Sequence, residues 1–564
     1  VWLQIRLTDF SANLYNCIMR QRFLLIFISL FLISCQLFTP IHTIQLISPT
    51  PEFPTATTSH KTSGSVFFDV HIHPEDGLYV GDLVSFEVIS RDAETQIDQD
   101  TSVEVELQRQ EPEPVILGQE YFHSYGIGER QQATFNWVWD TSDLDPGDYD
   151  LTFRILPEGP EWVEIITLFP QDALPPHALD ADWITTESQC CQITYLTGTA
   201  AARDIEEIIQ IVDEEAAQCL DEMAADHMDD LHIVLLPRVL GHGGFASGEV
   251  YVSYLDRNYA GDNFETAIHH EMIHIIDLSL DADTRPRLLM EGLAVYQTGG
   301  HYKTEPLLPR AAALLELGWY IPLEELVEDF YSHQHEIGYL EAGALIEYLI
   351  DQWGYEVFDD FYRDIYNSEG EKDRDAIDDA LQSHLRISFA DLSQEFFSTL
   401  QSYPSDTGLR EDVVLTVELY DTIRRYQLIL DPSAHFLTAW LITLDDLQSQ
   451  DIAADYLRHP SQLENLTIET LLISAQDALL EKDFETTREI LVAVNSSLDS
   501  LESNYAHPFS VSPISERYYE IVSFLVKSGY QPQQIRLNSN SAHIQATQTG
   551  PNLIPLVILL NQGT

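Results

Sequence analysis

The sequence predicts a multidomain chain: an all-β sandwich, then an α+β domain, then a mostly α-helical C-terminal region. Three observations predict that order. Apolar and polar residues alternate with a period of two from residue 66 to about 168, which is strand patterning. From about residue 200 onward long stretches show the 3.6-residue apolar period of helices instead. Proline-containing breaks at 169–176 and 404–408 separate these stretches. The resulting boundaries are 1–35, 36–65, 66–170, 180–402 and 409–564.

The first 35 residues read as a processing signal. Met19-Arg20-Gln21-Arg22 is a basic start, and the apolar run 23–33 is too short to span a bilayer comfortably but suits a secretory signal. It ends in Leu32-Ile33-Ser34-Cys35, which resembles a bacterial lipobox. That resemblance implies an exported, extracytoplasmic protein anchored to the bacterial cell membrane through a lipidated Cys35. Residues 1–18 would then be an over-extended start ahead of Met19. The plainer alternative is an ordinary signal peptide with an incidental cysteine. Residues 36–65 are rich in Pro, Thr and Ser, cannot bury a core, and read as a flexible tether.

Between 66 and 170 the alternating sets Val84-Phe86-Val88, Val103-Val105-Leu107, Phe135-Trp137-Trp139 and Tyr149-Leu151-Phe153-Ile155 are separated by turn chemistry such as Asp145-Pro146-Gly147-Asp148. Some seven short strands in about a hundred residues is the pattern of an immunoglobulin-like sandwich, and 135–153 resembles the late strands of bacterial surface modules of that type. No titratable cluster stands out, so a spacer or adhesion role is expected.

The α+β domain opens with a strand over 183–196, a helix over 200–223 and a strand over 232–236. The alternating segment Val250-Tyr251-Val252-Ser253-Tyr254 follows. Then comes His270-Glu271-Met272-Ile273-His274, within a helical stretch whose apolar positions are Phe264, Ala267, Ile268, Met272, Ile275 and Ile276. Residues four apart on a helix lie one turn above each other, so His270 and His274 share a face and can bind one zinc ion. Glu291 is the best third ligand. It sits in a second helical stretch, 288–296, where Gly292 and Ala294 would allow a close crossing. The alternative is an amphipathic helix whose two histidines are ordinary surface or core residues.

His270–His274, a short loop and then Glu291-Gly292-Leu293-Ala294-Val295-Tyr296 resemble the gluzincin metallopeptidases, in particular the peptidase MA-like families with HExxH followed by EGxAxY. The resemblance implies a zincin-type (thermolysin-like) metallopeptidase domain over 180–402. It implies one Zn2+ per chain on His270, His274 and Glu291, zinc-activated water, and Glu271 as general base and then acid. The implied partner is a peptide or protein substrate, laid along an edge strand whose place in those families Val250–Tyr254 occupies here. Gly338-Tyr339-Leu340-Glu341-Ala342-Gly343 through Leu349 resembles a later helix of the same families, which makes Tyr339 the candidate oxyanion donor; an aromatic core residue is the competing reading. His333 and His335 read as exposed loop histidines. Asp277 could orient a ligand imidazole, or could be a solvated helix-end acid. Family aminopeptidases carry a Gly-x-Met-Glu-Asn element, but Ala246 and Ser247 stand where its Glu and Asn would fall. Endopeptidase action is therefore favoured, unless Glu249 substitutes in a shifted register.

The chain carries 92 acidic against 28 basic residues, a formal charge of −64. Binding to nucleic acid needs clustered Lys and Arg, which are not seen, so no nucleic-acid partner is expected. Cys190, Cys191 and Cys219 lie in the α+β domain, and a bridge from 190 or 191 to 219 would tie its first strand to its first helix. Two other functions stay open: a non-catalytic zinc-containing surface-binding or adhesion protein, and a zinc hydrolase of non-peptide amide bonds. The C-terminal region, 409–564, carries no motif; helices and two closing strands, 535–546 and 553–560, are expected there.

Overall fold

The computed structural model describes residues 2–6, 67–91, 97–98, 100–108, 114–125, 130–174, 176–225, 227–228, 231–240, 243–261, 263–279, 285–301, 303–366, 372–437, 443–538 and 541–548. The lipobox, the tether and the expected strand at 553–560 lie outside these residues. A sheet-rich N-terminal part is followed by a mainly helical one. Among the described residues no helix is long and apolar enough to cross a membrane.

Residues 68–169 form a five-stranded and a four-stranded sheet that share one core. The period-two sets bury as expected, with Val84, Phe86, Val88, Val103, Val105, Leu107, Phe135, Leu151 and Phe153 inaccessible to solvent. Trp137 departs from that pattern. The register between strands Leu83–Ser90 and Arg130–Asp140 shifts between Val84 and Phe86, and Trp137 adopts φ 49°. This bulge turns the indole out of the sandwich, where Nε1 donates to Asp455 of the C-terminal region at 2.8 Å.

The central sheet has the strand order Trp183–Glu187, Gln192–Leu196, His232–Leu236, Glu249–Ser253, Gly244–Ser247. Residues 183–196 are thus a hairpin, not the single strand expected. Its turn holds a disulfide between the neighbours Cys190 and Cys191, so no bridge reaches Cys219. Cys219 is a buried thiol facing the His269 carbonyl, because that side of helix Ala200–Glu222 packs on helix Phe264–Ser279. The edge strand also differs from expectation. Glu249–Ser253 is paired on both sides, and the last strand of the sheet is Gly244–Ser247, antiparallel to it.

One face of this sheet is covered by helices Ala200–Glu222, Phe264–Ser279, Arg287–Thr298, Leu307–Leu317 and His335–Trp353, which build the largest core. The opposite face, through Leu196, Val234, Leu236 and Tyr251, packs on Phe436, Leu437, Leu444, Leu447, Ile452 and Tyr456. The C-terminal region therefore lies behind the sheet. Its own core joins helices Thr407–Leu430, Leu463–Leu480, Phe484–Glu502 and Pro513–Lys527 to a hairpin, Tyr530–Asn538 with Ser541–Gln548. The single strand expected over 535–546 is split there, in a stretch of turn-forming Asn and Ser. Trp2–Arg6, read from the sequence as lying ahead of the true start, pairs antiparallel with Ser541–Gln545.

Helices Arg287–Thr298 and His335–Trp353 make the closest crossing. A Cβ on Gly292 would fall 2.6 Å from the Ala342 carbonyl oxygen, and one on Gly343 would fall 2.5 Å from Cγ1 of Val295. Backbone cannot yield to such a contact as a flexible side chain can. Gly292→Ala should therefore destabilise the fold by about 1–3 kcal/mol, the usual cost of overpacking. Chemical denaturation checks this, and an unchanged midpoint would show that the crossing is looser than described.

Candidate metal centre

Helix Phe264–Ser279 begins where Asn263 Oδ1 accepts the Thr266 amide at 2.8 Å, an N-cap that satisfies one orphan donor. Its buried stripe of Ile268, Met272, Ile273 and Ile276 fixes its rotation on the sheet. Helix Arg287–Thr298 follows Pro286 and ends at Gly299, which is left-handed at φ 72°. Between them, Asp277 accepts from Arg285 Nη1 at 2.7 Å and from the Tyr362 hydroxyl, and Arg285 Nε donates to the Tyr362 carbonyl at 3.1 Å. Asp277 is therefore neither solvated nor shown on a ligand imidazole. It is buried and fixes the approach to the second helix.

These supports bring His270, His274 and Glu291 together. Nε2 of His274 lies 3.1 Å from Nε2 of His270 and 3.2 Å from Glu291 Oε2, and His270 Nε2 lies 3.5 Å from that same oxygen. Donors about 2.05 Å from a tetrahedral zinc ion are about 3.3 Å apart, so the triangle has the dimensions of one face of a zinc site. The donor set, two imidazoles and one carboxylate, fits that ion too.

The charges of the metal-free site agree. Burial lowers the His270 imidazole to about 4, helped by the neighbouring His274 and His301 and opposed by Glu291, which leaves it neutral and able to donate a lone pair. For His274 burial acts downward, yet the Glu291 carboxylate wins and raises it to about 9. Burial alone would push Glu291 up, but His274 and His270 hold it well below the usual carboxylate range. Glu271 is buried beside them and is raised to about 7, first by burial. The last strand of the sheet passes close to it: a Cβ on Gly244 would lie 3.6 Å from Glu271 Cγ.

Tyr339 is the aromatic core residue of one of the two readings made of it, and it lies near the candidate ligands. It is buried in the helical core, yet its ring is 6.4 Å from His270, and burial together with Glu291, Tyr331 and Glu271 raises its phenol well above the ordinary range. Ala246 lies on the edge strand, while Glu249 places its carboxylate 3.4 Å from the Tyr251 hydroxyl. His335, expected in an exposed loop, is the buried first residue of helix His335–Trp353, because Gln334 caps that helix earlier than the apolar pattern implied.

Sequence reasoning missed three neighbours. The Tyr331 hydroxyl donates to Glu291 Oε1 at 2.6 Å. His269 places Nδ1 2.8 Å from Glu215 and Nε2 3.0 Å from Glu222, and is raised to about 11: burial lowers it, but Cys219, Glu222 and Glu215 prevail. It clamps the helix of the ligand histidines to helix Ala200–Glu222. His301 has its ring 5.8 Å from that of His270. The doubled His269-His270 was a visible signal; Tyr331 and His301 stood in no pattern.

Tyr331→Phe removes only the hydroxyl that holds the free oxygen of Glu291. Groups that orient a metal ligand typically matter by about 10–100-fold in affinity, so zinc binding should weaken by about that factor with the fold intact. Competition against a chromophoric chelator measures this; unchanged affinity would show that Glu291 is positioned without Tyr331.

No protein-family model matches the chain, and no curated protein is similar to it in sequence. Among solved structures it is similar to a mutant M1 zinc metallopeptidase from Deinococcus radiodurans, at 12% identity and TM-score 0.28, over 60% of this chain and 94% of that one. It is also similar to a mutant two-domain M1 zinc metallopeptidase bound to L-arginine, at 12% identity and TM-score 0.27, over the same shares of 60% and 94%. Likeness at that level carries no functional argument, and the reading that follows rests on the geometry of the site.

Proposed function

We propose that this chain is a zinc-dependent metallopeptidase that hydrolyses internal peptide bonds. The observation that carries the proposal is the triangle of His270, His274 and Glu291, with buried Glu271 beside it and the last strand of the sheet near Glu271. His270, His274 and Glu291 would hold the ion. When bound, it supplies Lewis acidity that activates water near neutral pH and polarises a carbonyl.

The remaining work belongs to the chain's own residues. Strand Gly244–Ser247 is the last in the strand order of the sheet, so an extended substrate would add beside it as the next strand without a demand on its sequence. Glu271 takes a proton from the attacking water and returns it to the leaving amine. Its buried pocket suits both halves of that task, since burial favours the protonated form and so helps the carboxyl to hold the proton it takes. Tyr339 would donate to the developing oxyanion, a contribution of about 3–4 kcal/mol where such a donor is lost. Internal rather than terminal cleavage is favoured because Ala246 and Ser247 bring no carboxylate to the edge strand for a free amine, and Glu249 is engaged at Tyr251.

The reading extends to location: export, a lipid on Cys35, and residues 66–170 as an immunoglobulin-like spacer that holds the catalytic part off the membrane. It is supported by the sequence of residues 19–35 and by the two-sheet core. Fractionation of cells expressing Cys35→Ser checks it; the variant should leave the membrane fraction, and retention there would remove the anchor.

Glu271→Gln should keep its zinc and lose nearly all cleavage of a mixed peptide library relative to wild type. In the wild type, turnover should fall as pH drops through the Glu271 titration, because only the ionised carboxylate accepts a proton. That limb should lie below 7, since a bound cation favours the charged form. A Glu271→Gln variant as active as wild type would remove Glu271 from the chemistry. Bound zinc with no cleavage by either protein would favour a binding protein or a non-peptide amide substrate.

A further inference from the structure

A second group of metal-binding side chains lies beside the first. His301, His335 and Glu336 each offer one donor atom, and these atoms lie within 4.8 Å of one another. His301 Nδ1 is 3.1 Å from Glu336 Oε1, and the two imidazole rings are 4.9 Å apart. All three are largely buried, with Glu336 and His335 at 7% and 9% exposure.

Two separate pieces of backbone deliver these groups. His301 follows the left-handed cap of helix Arg287–Thr298, in a turn so tight that a Cβ on Gly300 would fall 1.9 Å from the Lys303 carbonyl oxygen. His335 and Glu336 are consecutive residues in the first turn of helix His335–Trp353. Tyr339, one turn further on, lies against both histidines, 4.1 Å from the His301 ring and 4.2 Å from that of His335. The His270 ring is 5.8 Å from His301, so the two groups adjoin across one cleft.

We propose that His301, His335 and Glu336 form a second divalent-cation site, next to the one formed by His270, His274 and Glu291. Two imidazole nitrogens and a carboxylate select a borderline first-row ion, with zinc the natural occupant of an exported protein's site and Ca2+ or Mg2+ disfavoured by the nitrogen donors. The spread of the donors exceeds the tetrahedral edge of about 3.3 Å, which suits an ion whose shell water completes and whose binding draws His335 inward. The ion would pin the turn after the Glu291 helix to the start of the Tyr339 helix. It would thereby fix one wall of the cleft. The simpler account is a His301–Glu336 hydrogen bond, with His335 stacked at 5.0 Å on Tyr420.

Metal counting separates the two. The full chain, stripped of metal and then dialysed against micromolar zinc, is passed through a desalting column and its zinc measured by mass spectrometry. The proposal expects a second equivalent of zinc per chain in the wild type. Glu336→Gln, which keeps the shape of the side chain, should lose one equivalent, and His301→Asn should do the same. The double substitution of His270 and His274 by Ala should lose the other equivalent and retain this one. Far-UV circular dichroism of each variant confirms that it is folded. A single equivalent in the wild type that disappears with His270 and His274 overturns the second site, as do two equivalents that survive Glu336→Gln. A single equivalent that survives loss of His270 and His274 but not of Glu336 would keep this site and remove the one on which the peptidase reading rests.

Discussion

The structure around the metal centre depends on how closely helix Arg287–Thr298 approaches helix His335–Trp353. Gly292 meets the Ala342 carbonyl and Gly343 meets Val295, so each helix removes a side chain where the other passes. The contact sets the height of Glu291 over the cleft, and with it the 3.2 and 3.5 Å that separate its carboxylate from the two imidazoles. The same crossing brings the His335–Trp353 helix close enough for Tyr339 to face His270. A bulkier pair of residues would move the third ligand away by more than a metal site tolerates, since ligand distances are fixed to within about 0.2 Å.

A second organising element is the use made of scarce arginines. The chain has 28 basic residues, and several are buried struts between regions far apart in sequence. Arg458 pairs with Asp82 of the sandwich, Arg238 with Asp431, Arg257 with Glu469, and Arg310 with Asp412. Each pair joins the C-terminal region to the sandwich or to the α+β domain. Guanidinium groups suit the task because they stay charged and bond carboxylates through a planar fork. Such pairs are costly to break on one side, since the surviving charge is left buried, so they specify how the regions dock more than they add net stability. With arginine drawn inward, the surface is strongly acidic.

Much of the site was legible because its chemistry is local. His270, Glu271 and His274 are related by helical spacing alone, and the helix needs only its own apolar stripe to place them on one side. The buried positions of the sandwich strands were legible for the same reason, as a period of two is a property of consecutive residues. Where a local pattern was broken by a non-local pairing, the reading failed. Trp137 follows the alternation but sits at a bulge set by the neighbouring strand, and the segment from Val250, placed at the sheet edge by resemblance, is flanked by two partners. The cysteines, and the burial of Asp277 and His335, were misread for a related cause: burial and partner choice depend on what packs from elsewhere.

By itself the sequence determined which helix carries His270 and His274, that Glu291 joins them, and the order of sheet-rich and helical regions, because each is written in spacing or composition over a few turns of chain. Only the tertiary structure decided that Gly244–Ser247 is the strand beside Glu271, that Tyr331 holds Glu291, and that His301 meets His335 and Glu336. These are contacts between residues 27 to 40 positions apart, well beyond the reach of a helical or strand period. They arise from the way whole helices cross and a sheet is ordered. No single segment encodes them, since the free energy that fixes each one is the packing of all the others around it.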